Sequence, residues 1–220
     1  MLHWKTSNRN EYVTQRWPLV FGCLLFVVGC ESKQQEPASS FAQTGEVSAE
    51  KVSAEKVSRV DARTFREAAL AGHADIVQHA LDAGMDVDQV DEGGRTALLL
   101  AAFDGHLQVV NLLIQRGANV NHRDAVGRTA LMYASTGPSP EVVRQLLSAG
   151  ADPNLADNSE GFTALMFAAA EGQLGVVEVL LEHNADISLR DVDGDTALGF
   201  ATQNGHRAIV DRLKRVDDRE

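Results

Sequence analysis

The sequence predicts an all-α solenoid of about five helix–turn–helix repeats, preceded by an N-terminal export and tether region. Three observations carry that prediction. Threonines at 64, 96, 129, 163 and 196 recur at intervals of 32, 33, 34 and 33 residues, and a fixed period of this length marks stacked repeats. Each threonine opens the same pattern: an Ala/Leu-rich run, a break, then Val, Ile and Leu at helical spacing. Hydrophobic residues make up 44% of the chain but aromatic ones only 5%. The core must therefore be built from Ala, Leu and Val, which suits helices packed closely together.

The first element is not part of the repeats. Residues 1–29 hold Lys5, Arg9 and Arg16 against Glu11, a net of +2, which leaves −13 for the rest of a chain whose formal charge is −11. An acidic body repels phosphate backbones and argues against a nucleic-acid partner. Residues 18–28 (PLVFGCLLFVV) form an apolar run of eleven. That is shorter than the about 20 residues a spanning helix needs, and with its basic flank it fits the core of an export signal. Apolar character ends at Cys30, which Glu31, Ser32, Lys33 and Gln34 follow.

Val27-Val28-Gly29-Cys30 resembles a bacterial lipobox, although Leu is commoner where Val27 sits and Ala or Ser where Val28 sits. The resemblance implies cleavage before Cys30, a lipid on its sulfur, and a location in the bacterial cell envelope, anchored to the membrane and facing the periplasm. Val20-Phe21-Gly22-Cys23 is a weaker second candidate, because it leaves a shorter apolar run before the cysteine. Cys23 and Cys30 are the two cysteines of the chain. The repeats therefore have neither a disulfide framework nor a Cys-ligated zinc site. Residues 30–60 follow as a flexible tether, with the tandem "VSAEKVSAEKVS" at 47–58 and little apolar mass to bury.

The repeats are read as 61–93, 94–126, 127–160, 161–193 and 194–220. In each, a threonine caps a short first helix ("TFREAA", "TALLLAA", "TALMYAS", "TALMFAA", "TALGFAT"). Gly72, Gly105, Gly172 and Gly205 end it. A second helix follows, with residues such as Val109, Val110, Leu112 and Leu113. Gly84, Gly117, Gly150 or Asn184 closes it before an Asp/Asn/Gly-rich loop. In the third repeat "STGPSPEVV" replaces the usual turn, with Pro140 at an early helix position. "DNSEGFT" carries one extra residue, which accounts for the interval of 34. Charged residues mark both ends: Arg63, Arg66 and Glu67 at the first, Asp211, Arg212, Lys214 and Arg215 at the last.

These units resemble ankyrin repeats, through "T-x-L-x-x-A", "G-H", "V-V-x-L-L" and "G-A-D-x-N" over about residues 61–215. The resemblance implies a curved stack of helix pairs with finger-like loops along one edge. Ala97, Ala130, Ala164 and Ala197 stand where the family has Pro, and Leu99, Met132, Met166 and Gly199 where it has His.

No nucleophile motif, phosphate loop or HExxH is present, so the reading is a non-enzyme without cofactor or metal. His73, His106 and His206 recur at the "G-H" position, but in separate repeats they do not converge on one ion, and in the family this His is structural. "DVDGDT", with Asp191, Asp193 and Asp195, has its glycine too early for a calcium loop and reads as a fingertip.

The candidate site is a partner-binding groove. Leu100, Tyr133, Phe167 and Phe200 share one helical position; Phe103, Asp104, Glu171 and Gln203 lie before the first-helix glycines; Arg123 and Arg190 lie at the fingers. The ankyrin resemblance places these on the concave side. Two readings stand for the aromatic series: packing between repeats, or anchors for a partner protein. The function expected is binding of another protein by a lipid-anchored monomer. Alternatives are an immunity-type inhibitor of a toxin or enzyme, or an accessory to an envelope stress enzyme.

Overall fold

The computed structural model describes residues 60–217, which fall in the unit Ser58–Glu220. The lipobox, Cys30 and the tether lie outside the described residues. The described residues form ten α-helices in five pairs. The first pair is α1 (Ala62–Leu70) and α2 (Ala74–Asp82), the second α3 (Ala97–Phe103) and α4 (Leu107–Gln115). The third is α5 (Ala130–Ser135) and α6 (Pro140–Ser148), the fourth α7 (Ala164–Ala170) and α8 (Leu174–Glu182), the fifth α9 (Ala197–Gln203) and α10 (Arg207–Asp217). The one β feature among them is an isolated bridge between Ala156 and Thr163.

Capping starts the first helices. Thr96, Thr129, Thr163 and Thr196 each accept a hydrogen bond from the amide three residues on. The first repeat departs from the threonine series. Its helix is capped by Asp61, whose Oδ1 accepts from the Thr64 N–H at 2.7 Å. Thr64 is thus inside the helix and not its cap. The alignment of Gly72-His73 with Gly105-His106 restores the interval of 33 and shows Arg63 at the position equivalent to Thr96.

The first helices stack more closely than the second ones. The cause is side-chain size. Ala68, Ala69, Ala101, Ala102, Ala134, Ala168, Ala169 and Ala201 are buried along the first helices. Val109, Val110, Leu113, Val142, Val143, Leu146, Val176, Val177 and Leu180 fill the second layer. Small residues on one side and large ones on the other bend the stack, so the first helices line its concave side.

Adjacent repeats are also tied by hydrogen bonds. His106 Nε2 lies 2.8 Å from the Leu70 carbonyl, and His206 Nε2 lies 3.0 Å from that of Ala170. A carbonyl only accepts, so Nε2 carries the proton in both. Gln173 makes the equivalent contact to Thr136 O at 3.4 Å, and Ser139 occupies the place over Gly105. On the second-helix side, ion pairs join Arg116 to Asp82, Arg144 to Glu182 and Arg212 to Glu178. Between the repeats, Asn119, Asp152 and Asp186 donate their backbone N–H groups to the side chains of Asp88, Asn121 and Asn154.

The fingers form a third line of contact. Ala125 N–H donates to Gly93 O, Asn158 N–H to Val126 O and Val192 N–H to Glu160 O, each at 2.9 Å. Ala125 and Val126 adjoin, whereas Asn158 and Glu160 are separated by Ser159. Ser159 is therefore the extra residue behind the interval of 34.

Candidate functional site

Each finger is held by an aspartate that closes it from within. Asp91 Oδ1 accepts from Gly93 and Arg95 N–H, Asp124 Oδ1 from Val126 and Arg128, and Asp191 Oδ1 from Asp193 and Asp195. Asp157 spans the longer finger by accepting from Glu160, Gly161 and Phe162. These side chains orient the residue just before the threonine cap of the next helix, which is Arg95, Arg128, Phe162 or Asp195. The fixed frame brings two aromatic groups together on the concave side.

The first group is Phe103 with Tyr133. Their rings meet edge to face with centroids 5.9 Å apart. Phe103 remains 41% exposed, and Tyr133 is half-buried. The Tyr133 hydroxyl donates to Asp124 Oδ2 at 2.8 Å. Burial and this carboxylate push the Tyr133 phenol well above its ordinary range, because both disfavour a phenolate.

The second group is Phe162, Phe167 and Phe200. Phe162 stands edge-on to Phe167 at 5.5 Å and to Phe200 at 5.0 Å. The Arg128 guanidinium lies 5.2 Å over the Phe167 ring, with its Nε 3.4 Å from Asp157 Oδ2. Such edge-to-face and cation–ring contacts fix ring positions as well as adding stability.

The predicted residues divide accordingly. Tyr133 and Phe167 are half-buried on the concave side, Leu100 is half-buried on α3, and Phe200 is buried beneath Phe162. Asp104 is exposed and Glu171 half-buried at the C-caps of α3 and α7, and Gln203 is exposed at the end of α9. Arg123 and Arg190 are exposed but engaged. Arg123 Nη2 donates to Ala156 O at 2.6 Å and Asn158 Oδ1 at 2.9 Å, and Arg190 Nη1 to Gly194 O at 2.7 Å. They brace fingers. Within the aromatic series Phe200 is packing, while Leu100, Tyr133 and Phe167 are half-buried; Phe103, beside the series, is exposed.

The sequence reading placed Asp191 in a fingertip but did not single out Phe162, Arg128, Asp91, Asp124 or Asp157. A signal existed, since Asp91, Asp124, Asp157 and Asp191 recur at 33, 33 and 34 residues. Among the described residues no group of three or more His, Cys, Asp or Glu is arranged to hold a metal ion.

A family model of ankyrin repeats matches residues 65–157 and 137–218. The chain belongs to the ankyrin-repeat family. Its ankyrin stack is similar to an ankyrin repeat protein of Rickettsia felis, 47% identical over 47 residues, covering 21% of this chain and 75% of the other. It is similar to the rat ankyrin repeat and SAM domain-containing protein 6, 47% identical over 57 residues, 26% of this chain and 6% of that protein. It is also similar to human ankyrin repeat family A protein 2, 47% identical over 49 residues, 22% of this chain and 16% of the other. The chain thus spans less than a fifth of the length of the two mammalian relatives. Ankyrin repeats are protein-interaction modules, and that role is assigned to this domain.

Proposed function

We propose that this chain is a lipid-anchored protein of the bacterial cell envelope that binds another protein through the concave face and fingertips of its ankyrin stack. The observation that carries the binding half is the partly exposed aromatic surface of Phe103, Tyr133 and Phe167 on a rigid frame. Rings with exposed faces, fixed by neighbours, give contact area at low cost in conformational entropy. The anchoring half rests on the order of sequence features: basic start, eleven apolar residues, Cys30, then a polar tether. Among the described residues no helix is long and apolar enough to cross a membrane. A tether on a lipid would raise the effective concentration of the domain near membrane-proximal partners. In this reading the domain binds and does not catalyse.

Two measurements test it. Labelled palmitate should enter the native chain in bacterial cells and not a Cys30→Ala variant; equal labelling of both would remove the lipid from the proposal. Crosslinking in intact cells should capture a protein with the native chain, and lose it with combined Phe103→Ala, Tyr133→Ala and Phe167→Ala. Identical captures, with both proteins folded by circular dichroism, would move the binding site off the concave face.

A further inference from the structure

We propose that Asn204 is a site of spontaneous deamidation, and that opening of the last repeat sets its rate. The substrate is the chain itself, and water is the second reactant.

Of the asparagines in the chain, only Asn204 is followed by glycine. The reaction is attack by the next backbone nitrogen on the side-chain carbonyl carbon, and a glycine offers that nitrogen with no Cβ beside it. A bond forms between Gly205 N and Asn204 Cγ, and the Cγ–Nδ2 bond breaks. The Gly205 amide proton leaves with Nδ2 as ammonia, and a succinimide ring remains. Water then adds to either ring carbonyl and opens the ring to aspartate or isoaspartate.

The position is accessible. Thr202, Gln203, Asn204 and Gly205 are all exposed, and a Cβ added at Gly205 would meet nothing within 4 Å. The equivalent turn inside the stack is covered, because a Cβ at Gly105 would collide with the Ser139 side chain. The residue before it is Asp104, which has no amide to lose.

The folded turn restrains the reaction in three ways. Asn204 is the C-cap of α9 with ψ 0°, which holds the Gly205 nitrogen out of the plane in which the ring closes. The Gly205 N–H donates to Thr202 O at 3.2 Å, and Asn204 Nδ2 donates to Ala170 O at 3.0 Å. All three restraints end when the turn opens. Among the described residues the fifth repeat packs on one neighbour, the fourth, and a repeat with one interface opens more readily than one with two.

The product weakens that interface. Ala170 O accepts from both Asn204 Nδ2 and His206 Nε2, each at 3.0 Å. A carboxylate in place of the amide cannot donate. It also sets negative charge against that carbonyl and the C-terminal end of α9. Isoaspartate further lengthens the main chain ahead of His206. Conversion therefore leaves the fifth repeat more loosely held on the fourth.

The test incubates the full chain in detergent micelles at mildly alkaline pH and follows tryptic fragments by mass spectrometry. Residues 191–207 form one fragment, bounded by Arg190 and Arg207, and sequencing it assigns conversion to Asn204. Conversion is expected first at Asn204, ahead of Asn158, which serine follows. His206→Ala removes one tie of the last repeat without touching the reacting atoms, and should raise the rate about fivefold. Denaturant should raise it further. Asn204→Asp, which carries the product, should lower the unfolding midpoint read by circular dichroism. Conversion at Asn204 no faster than at Asn158 would overturn the site. A rate unmoved by both His206→Ala and denaturant would overturn control by the last repeat, and a midpoint unmoved by Asn204→Asp would overturn the loosening.

Discussion

The internal repeats and the last repeat share a sequence pattern but not a set of constraints. At Gly172 an added Cβ would come within 2.6 Å of the His206 ring, and at Gly72 within 2.7 Å of His106. At Gly205 it would meet nothing within 4 Å. All three have φ near +75°, so all need a residue that tolerates a left-handed backbone. Only Gly72 and Gly172 also need an absent side chain, because a following repeat rests on them. The same letter in the same motif position therefore answers one physical demand at the end of the stack and two within it.

The largest expected effect comes from the middle. Leu131 is 1% exposed between two neighbouring repeats, and Leu131→Ala should cost about 3 kcal/mol in denaturant unfolding. A cost below about 1 kcal/mol would mean that the centre of the stack relaxes around a cavity as an end can.

Next is the glycine pair. Gly172→Ala should cost about 2–3 kcal/mol, from backbone strain and displacement of His206, and Gly205→Ala about 1 kcal/mol, from strain alone. Equal costs would erase the distinction drawn between glycines covered by a following repeat and the one in the last repeat.

The histidines repeat the contrast on a smaller scale. His206→Ala removes the bond to Ala170 and should cost about 1 kcal/mol. His73 is exposed in the first repeat and makes no hydrogen bond to another repeat among the described residues, and His73→Ala should change the unfolding midpoint by less than the error of the fit.

The smallest effect is one of pH. The folded-state pKa of Tyr133 is raised above its usual 10.0, so the neutral phenol is the form that folding favours. The associated stability is complete below pH 10 and is lost as pH rises beyond it. The chain has two tyrosines. Ultraviolet titration should show one of them ionising late while the domain is folded, and Tyr133→Phe should abolish that phase. Phe200, at the equivalent position of the last repeat, has no hydroxyl to contribute.

The period, the threonine caps and the glycine breaks were legible because each rule acts locally and recurs. Thr64 misled because one threonine lies a residue beyond the true position while Asp61 does the capping. The finger aspartates recur as regularly as the threonines, but they sit among other Asp and Asn residues of the loops, where no hydrophobic run follows to mark which one closes the turn. Phe162 escaped for another reason. It replaces Arg95 and Arg128 at a position with no consistent residue type, and only the folded geometry sets it between Phe167 and Phe200. Arg123 and Arg190 looked available as isolated charges, and their engagement depends on carbonyls 33 and four residues away.

Ser159 has a use for anyone who wishes to modify this protein. The two middle fingers are each tied by one donor and one acceptor, and in the third finger a residue already sits between them while α7 and α8 form as in the other repeats. Chain length at that point is free within the limits of loop closure, which grows costly only slowly. A foreign epitope or a fluorophore-bearing loop grafted between Asn158 and Glu160 would hang outside the stack, reporting on its surroundings without entering its structure.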